Sequence, residues 1–199
     1  SEVTNSTLYN WTIINTHVPD VTVVNVTKVW DDANDQDGIR PDNITVELRN
    51  DTGVVNSTVL SDANNWTAVF TDLPVNCNGS TINYTFYEVD VDGYESEVTN
   101  STLYNWTITN THVPELVNVT VEKVWNDFND FDGIRPDNII VMLYANGNNT
   151  RNATLNKSTD WKFTFKDLDK NENGVLINYT IKELIEGDYN TTIYNNTYE

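Results

Sequence analysis

Three residues sit where their types conflict with their neighbours, and together they form a reactive set. Lys28 shares alternate positions with Thr22, Val24, Val26 and Trp30 in the run VTVVNVTKVW. Glu88 shares a face with Ile82, Tyr84 and Phe86, and Asn110 with Trp106, Ile108 and His112. Alternation places every second side chain on one face of a strand, so each polar group is expected among core residues. An unpartnered charge there is costly. One reading is a buried Lys–Glu ion pair whose leftover hydrogen bonds Asn110 satisfies, an arrangement often no better than apolar packing. The other is chemical. Desolvation disfavours the charged forms of both Lys and Glu. A neutral amine is a nucleophile, and the side-chain carbonyl carbon of Asn110 is an electrophile. A protonated Glu88 could polarise that carbonyl and shuttle protons as ammonia leaves, giving a Lys–Asn isopeptide bond.

The elements that must position these groups occur more than once. Residues 1–20 (SEVTNSTLYNWTIINTHVPD) match 96–115 (SEVTNSTLYNWTITNTHVPE) at all but two positions. The same offset of 95 relates Trp30 to Trp125, Trp66 to Trp161 and Tyr84 to Tyr179. A fixed period of that size is the signature of a tandem domain array. It carries Lys28 to Lys123, Glu88 to Glu183 and Asn110 back to Asn15. The expected organisation is a closing hairpin of a preceding repeat (1–20), a complete repeat (21–115) and a second repeat lacking its last strand (116–199). Glu199 aligns with Tyr104, so repeat two has no counterpart of Asn110, and Asn15 has no lysine ahead of it. Either the chain is a window on a longer array, or the 1–20 segment of one copy completes repeat two of another by donor-strand addition.

Within a repeat, strands are predicted over Val21–Trp30, Ile44–Arg49, Val54–Leu60, Trp66–Thr71, Thr81–Asp90, Glu95–Thr99 and Tyr104–Thr111, separated by Asn/Asp/Gly turns. About seven short strands per repeat is the pattern of an all-β, immunoglobulin-like sandwich. Trp30, Trp66, Phe70, Tyr84 and Phe86 read as core aromatics. The acidic turns Asp31–Asp42 and Asn126–Asp137 are similar at first sight to a calcium loop. Counted back from Gly38 and Gly133, however, the first ligand position is Ala33 or Phe128 and the last is Ile44 or Ile139, whereas an EF-hand requires oxygen ligands at those places. They are expected to be polar turns, and no metal or cofactor is called for.

A net charge of −19 argues against nucleic acid and anionic membrane surfaces as partners. No apolar run is long enough to enter a membrane. The lone Cys77 excludes an internal disulfide, so the usual staple of small exported domains is absent. Acceptors for N-linked sugar, Asn-x-Ser/Thr, occur at Asn5, Asn10, Asn25, Asn43, Asn50, Asn56, Asn65, Asn78, Asn83, Asn100, Asn105, Asn118, Asn148, Asn152, Asn156, Asn178, Asn190 and Asn195. Asn25, Asn83, Asn105, Asn118 and Asn178 fall on the outward faces of their strands, where a glycan can sit. Asn110 and Asn15 are followed by Thr-His and are not acceptors. The expected location is extracellular, on a prokaryotic cell surface, archaea included.

VTKVWDD, NDQDGIRP, TDLP, NYTFYEVD, DGYESEVT and WTITNTHVP, in that order, resemble the B-type repeats of collagen-binding adhesins, the Cna B-type domains. The resemblance runs through both repeats. It implies an immunoglobulin-like sandwich closed by a self-catalysed Lys–Asn isopeptide bond with Glu assistance, serving as the stalk of surface adhesins and pilins. By motif, it places the lysine at Lys28 or Lys123, the glutamate at Glu88 or Glu183, and the asparagine at Asn110 or Asn15. The implied partners are neighbouring repeats, or copies of the chain in a fibre, and N-linked glycans. Two other functions compete with this one. A carbohydrate- or matrix-protein-binding module would use exposed aromatics such as Tyr9, Tyr87 and Tyr198. A glycosidase would need paired acids in a cleft, and these carboxylates cluster in turns without partner groups. Beyond the single turnover of bond formation, no enzyme is expected.

Overall fold

The computed structural model describes residues 2–7, 9–184 and 189–195, apart from the side chains of 2–7 and of Asn10. Its contacts divide the chain into two units: residues through Asp31 with Arg40–His112, and Asp32–Ile39 with residues from Val113 onward.

Unit one begins with a hairpin, β1 (Glu2–Thr7) and β2 (Asn10–Ile14). There follow β3 (Val21–Asp31), β4 (Asn43–Asn50), β5 (Gly53–Ser61) and β6 (Thr67–Pro74). Next come the short pair β7 (Asn76–Cys77) and β8 (Ser80–Thr81), then β9 (Thr85–Glu88), β10 (Glu95–Thr102) and β11 (Asn105–Thr111). One sheet has the order β10-β11-β3-β6 and the other β5-β4-β9. The fold is the expected immunoglobulin-like sandwich. Val24, Val26, Phe70, Leu73 and Ile108 from the first sheet are buried with Ile44, Val46, Leu48, Leu60 and Phe86 from the second. Removing that apolar area from water is the main stabilising term. Tyr84 closes one end. Its phenol donates to the Pro74 carbonyl at 2.8 Å, and burial pushes its pKa up, so it stays a donor.

Several strand bounds shift: the predicted Glu95–Thr99 runs on to Thr102, and Tyr104–Thr111 starts one residue later. Trp66 has a φ of 57° and follows Asn65, the left-handed residue that caps the 3-10 turn Asp62–Asn64, so β6 starts one residue later. The predicted Thr81–Asp90 strand is regular only over Thr85–Glu88. Its pairing with β4 stops at Arg49–Thr85, where β4 turns away through Asn50–Gly53.

Unit two repeats the plan with β12 (Leu116–Glu122), β13 (Asn138–Ala145), β14 (Asn148–Asn156) and β15 (Lys162–Asp169). It ends with the short β16 (Asn171–Glu172) and β17 (Val175–Leu176), then β18 (Tyr179–Leu184). Its sheets are β12-β15 and β14-β13-β18. Among the described residues β12 pairs on one side only, where β3 pairs on two. Accordingly Val119 and Val121 are half-buried, while their counterparts Val24 and Val26 are buried. No helix of the described residues is long and apolar enough to cross a membrane.

Candidate cross-link site

β3 and β11 are neighbours and run parallel, which fixes the site. Lys28 lies opposite Ile108, and Asn110 lies opposite Trp30. Lys28 and Asn110 therefore share a face on adjacent strands, offset by two residues. Lys28 Nζ lies 4.2 Å from the centroid of the Trp30 ring, and Trp30 is the residue that pairs with Asn110. Glu88 comes from the opposite sheet, held on β9 by pairing with Val46.

All three groups are sealed from water. The Lys28 and Glu88 side chains are 0% and 2% exposed, and Asn110 is 0% exposed. Lys28 Nζ is 3.3 Å from Glu88 Oε1 and donates to the Val29 carbonyl at 3.3 Å. The first approach is close enough for an ion pair but poorly directed: neither Glu88 oxygen makes a hydrogen bond. Neither Nδ2 nor Oδ1 of Asn110 makes one either. Buried amides are nearly always satisfied, and an orphaned one loses its full hydration. Asn110 thus gives the Lys28–Glu88 pair no hydrogen bond. Trp30 packs edge-on against Trp66 at 5.3 Å and Tyr94 at 4.9 Å, a lid of rings beside the amine.

The second copy differs. Lys123 Nζ is 2.8 and 3.2 Å from the two Glu183 oxygens, and Thr191 Oγ1 donates to Glu183 at 2.8 Å. These side chains are 16% and 5% exposed. Asn15 lies in unit one, exposed, just past the end of β2.

Alternation does not reveal the polar network beside Trp125. Arg135 binds Asp127 through Nε at 2.9 Å and Nη2 at 2.6 Å, and Tyr189 donates to Asp127 at 3.2 Å. The guanidinium holds the Asp127 carboxyl well below the usual carboxylate range, with backbone and phenol donors adding to it. Its counterpart Asp32 is buried and accepts the Asp35 N–H at 2.9 Å. The acidic turns are therefore folded around their own carboxylates and are not merely solvated. The available signal was the recurrence of Asp32 and Arg40 as Asp127 and Arg135 in turns that differ at only three of twelve positions.

Of the sugar acceptors with described side chains, Asn25, Asn50 and Asn156 are half-buried and the rest exposed. The Nδ2 of Asn25 donates to Asn105 Oδ1 at 2.8 Å, so two of the outward acceptors lean on each other. Asn5 and Asn10 fall outside the described side chains. Among the suggested binding aromatics, Tyr9 is exposed, Tyr198 lies outside the described residues, and Tyr87 carries Arg49 stacked at 4.0 Å.

A family profile described as "Cna protein B-type domain" matches residues 24–111 and again 119–199. A collagen adhesin of Staphylococcus aureus is 40% identical over 188 residues, 94% of this chain; the chain spans 16% of that protein's length. The crystal structure of two B repeat units of the collagen-binding protein of the same organism superposes with a TM-score of 0.81 at 40% identity. That superposition covers 87% of this chain and 47% of the other.

Proposed function

Since the chain belongs to the Cna protein B-type domain family, we propose that it is a structural stalk segment of a cell-surface adhesin, and that its first repeat is closed by an isopeptide bond between Lys28 and Asn110. The observation that carries the bond is the fully buried, unsatisfied amide of Asn110 beside a sealed amine and carboxylate. In the proposed reaction the ammonium of Lys28 passes a proton to Glu88. The neutral amine attacks Asn110 Cγ, while protonated Glu88 hydrogen-bonds the carbonyl oxygen and stabilises its developing charge. The Lys28 Nζ–Asn110 Cγ bond forms and the Cγ–Nδ2 bond breaks. The departing nitrogen takes its proton by way of Glu88 and leaves as ammonia. The lid of Trp30, Trp66 and Tyr94 keeps out the water that would otherwise favour charged partners.

The product joins the first and last strands of the sandwich. Such a closure stabilises by roughly 4–5 kcal/mol on loop-entropy grounds, and it would let the repeat stand extension at a cell surface. The relatives named above come from a bacterium, and an archaeal source finds no support among them. Collagen binding is a property in the name of that relative. For this segment the stalk role is proposed instead, with N-linked sugars on the exposed acceptors as a further part of the reading.

Intact-mass spectrometry of the folded chain tests the bond. The native chain should be lighter than its sequence by one ammonia, and Lys28→Ala or Glu88→Gln should each restore the full mass. A native chain at full sequence mass would refute the cross-link.

A second reading is favoured by one observation. The edge of β12 that is unpaired among the described residues corresponds to the edge on which β3 receives β11, and residues 10–16 nearly repeat residues 105–111. Donor-strand linkage of Lys123 to Asn15 of another copy would give multimers that survive boiling in detergent and vanish in Asn15→Ala.

A further inference from the structure

Two buried groups at the proposed bond lack partners, one a donor and the other an acceptor. Asn110 Oδ1 accepts no hydrogen bond, in a residue that is 0% exposed. Trp30 Nε1 is a buried donor that gives none among the described residues. Trp30 and Asn110 are paired positions on β3 and β11, one strand spacing of about 4.8 Å apart. The neighbouring indoles do not compete for the role. Trp66 gives its N–H to Asp62 Oδ1 at 2.6 Å. Trp106 Nε1 is also buried and unbonded, but Trp106 pairs with Val26, four residues back along β11 from Asn110 and about 13 Å away.

The chemistry of the closure calls for such a donor. Attack by Lys28 Nζ on Asn110 Cγ moves the carbonyl π pair onto Oδ1, and the Cγ–Nδ2 bond breaks as that pair returns. Glu88 carries one proton. Once it hands that proton to Nδ2, its O–H no longer serves Oδ1, at the stage when the oxygen holds its charge. A second donor on Oδ1 removes the conflict. An indole N–H suits the task because it donates only and keeps its proton.

The orientation fits the attack. Lys28 Nζ lies over the Trp30 ring, 4.2 Å from its centroid, and Lys123 lies over Trp125 in the same way at 4.4 Å. The amine therefore uses the face of the ring, and the N–H leaves from its edge, at right angles to that face. A nucleophile likewise approaches a carbonyl carbon at a steep angle to the C=O axis. One side chain can thus hold the amine with its face and the oxygen with its edge.

We propose that Trp30 is a catalytic residue of the closure: its Nε1–H donates to Asn110 Oδ1 as negative charge develops there, while Glu88 moves the protons. No proton leaves the indole. The hydrogen bond forms as the amide turns toward Trp30 on the approach of Lys28, since donors of this kind tighten in the transition state. The proposal rests on the Lys28–Asn110 reading and adds to it the group that holds the oxyanion.

Cys77 makes the test practical. A synthetic 1–76 segment is ligated to 77–199 at Cys77 in denaturant, so that the full chain starts without its cross-link. Ammonia loss is then followed by intact mass on dilution into buffer. Trp30→Phe and Trp30→benzothienylalanine, which keeps the indole's shape with sulfur in place of N–H, should each slow that loss about 100-fold or more. In a Lys28→Ala chain, which forms no bond, the benzothienyl replacement should leave the denaturant midpoint unchanged. Ammonia loss at the native rate from the benzothienyl chain would overturn the donor role. A midpoint lowered by the benzothienyl replacement would assign the slowing to packing and overturn it too. A chain of native sequence that never loses ammonia would instead sink the cross-link reading itself, so the two failures are distinguishable.

Discussion

The two Lys–Glu pairs are the same residues at the same register, yet they behave differently. Lys123 and Glu183 approach to 2.8 Å, and Glu183 Oε2 accepts from Lys123 at 3.2 Å and from Thr191 at 2.8 Å, although its Oε1 makes no hydrogen bond. Lys28 and Glu88 are sealed, further apart and poorly directed, with an unsatisfied amide beside them. The structural difference is β11. Where that strand covers β3, it delivers Ile108 and Asn110 and excludes water; where β12 has no such neighbour among the described residues, the pair relaxes toward a solvated bridge. The comparison teaches that the last strand supplies the dry surroundings as well as the electrophile, and a set of perturbations can break or sharpen it.

The largest effect is expected from Lys28→Ala, which removes the proposed closure and leaves Glu88 buried alone. Loss of roughly 4–5 kcal/mol is expected, read as a lower denaturant midpoint for repeat one. Lys123→Ala should cost less, because Glu183 keeps the Thr191 hydroxyl as a donor. Equal losses at the two lysines would abolish the distinction. Ile108→Ala comes next. It opens a cavity in the strand that seals the site, and about 2–5 kcal/mol should be lost, with slower loss of ammonia in time-resolved mass spectra of refolding chain.

Acid should expose a different asymmetry. The folded Asp127 carboxyl titrates below its free value of about 3.9. Its contribution is therefore complete above about pH 4 and is lost as the pH falls toward the folded pKa. Asp127→Asn should flatten that part of the stability–pH curve in repeat two, measured as denaturant midpoints from neutral pH downward. An unchanged slope would mean that Arg135 does not hold the carboxylate.

The smallest effect tests a reciprocal pair. In repeat one Arg49 stacks on Tyr87 at 4.0 Å; in repeat two Lys182 stacks on Tyr144 at 4.5 Å. The offset of 95 maps Arg49 to Tyr144 and Tyr87 to Lys182, so cation and ring have exchanged strands. Tyr87→Ala and Tyr144→Ala should each lose about 0.5–1 kcal/mol, seen as a small shift in thermal midpoint. A null result at both would reopen Tyr87 as a surface kept for a ligand.

Alternation was a sound guide to what strands bury. Lys28, Glu88 and Asn110 were legible because a polar residue interrupts an apolar face, and the internal repeat showed that the interruption recurs. It was blind to turns. Asp127, Arg135 and Tyr189 meet through loops with no period, and the left-handed backbone at Trp66 leaves no trace in hydropathy. The missing hydrogen bonds of Asn110 were equally invisible, because satisfaction depends on direction and not on which face a residue occupies.

The parallel run of β3 beside β11 has a mechanical corollary. Val21 opens the first of these strands and Thr111 closes the second, so tension applied at the two ends of the repeat shears the strands along their overlap. Without the proposed Lys28–Asn110 bond the seven paired positions from Asn25–Asn105 to Asp31–Thr111 would carry that strain together, as in a glued lap joint; with it, the load crosses between the strands at the covalent link. Hairpins and turns hanging from that seam lie outside the line of tension, free to vary in length and sequence without changing how far the repeat stretches.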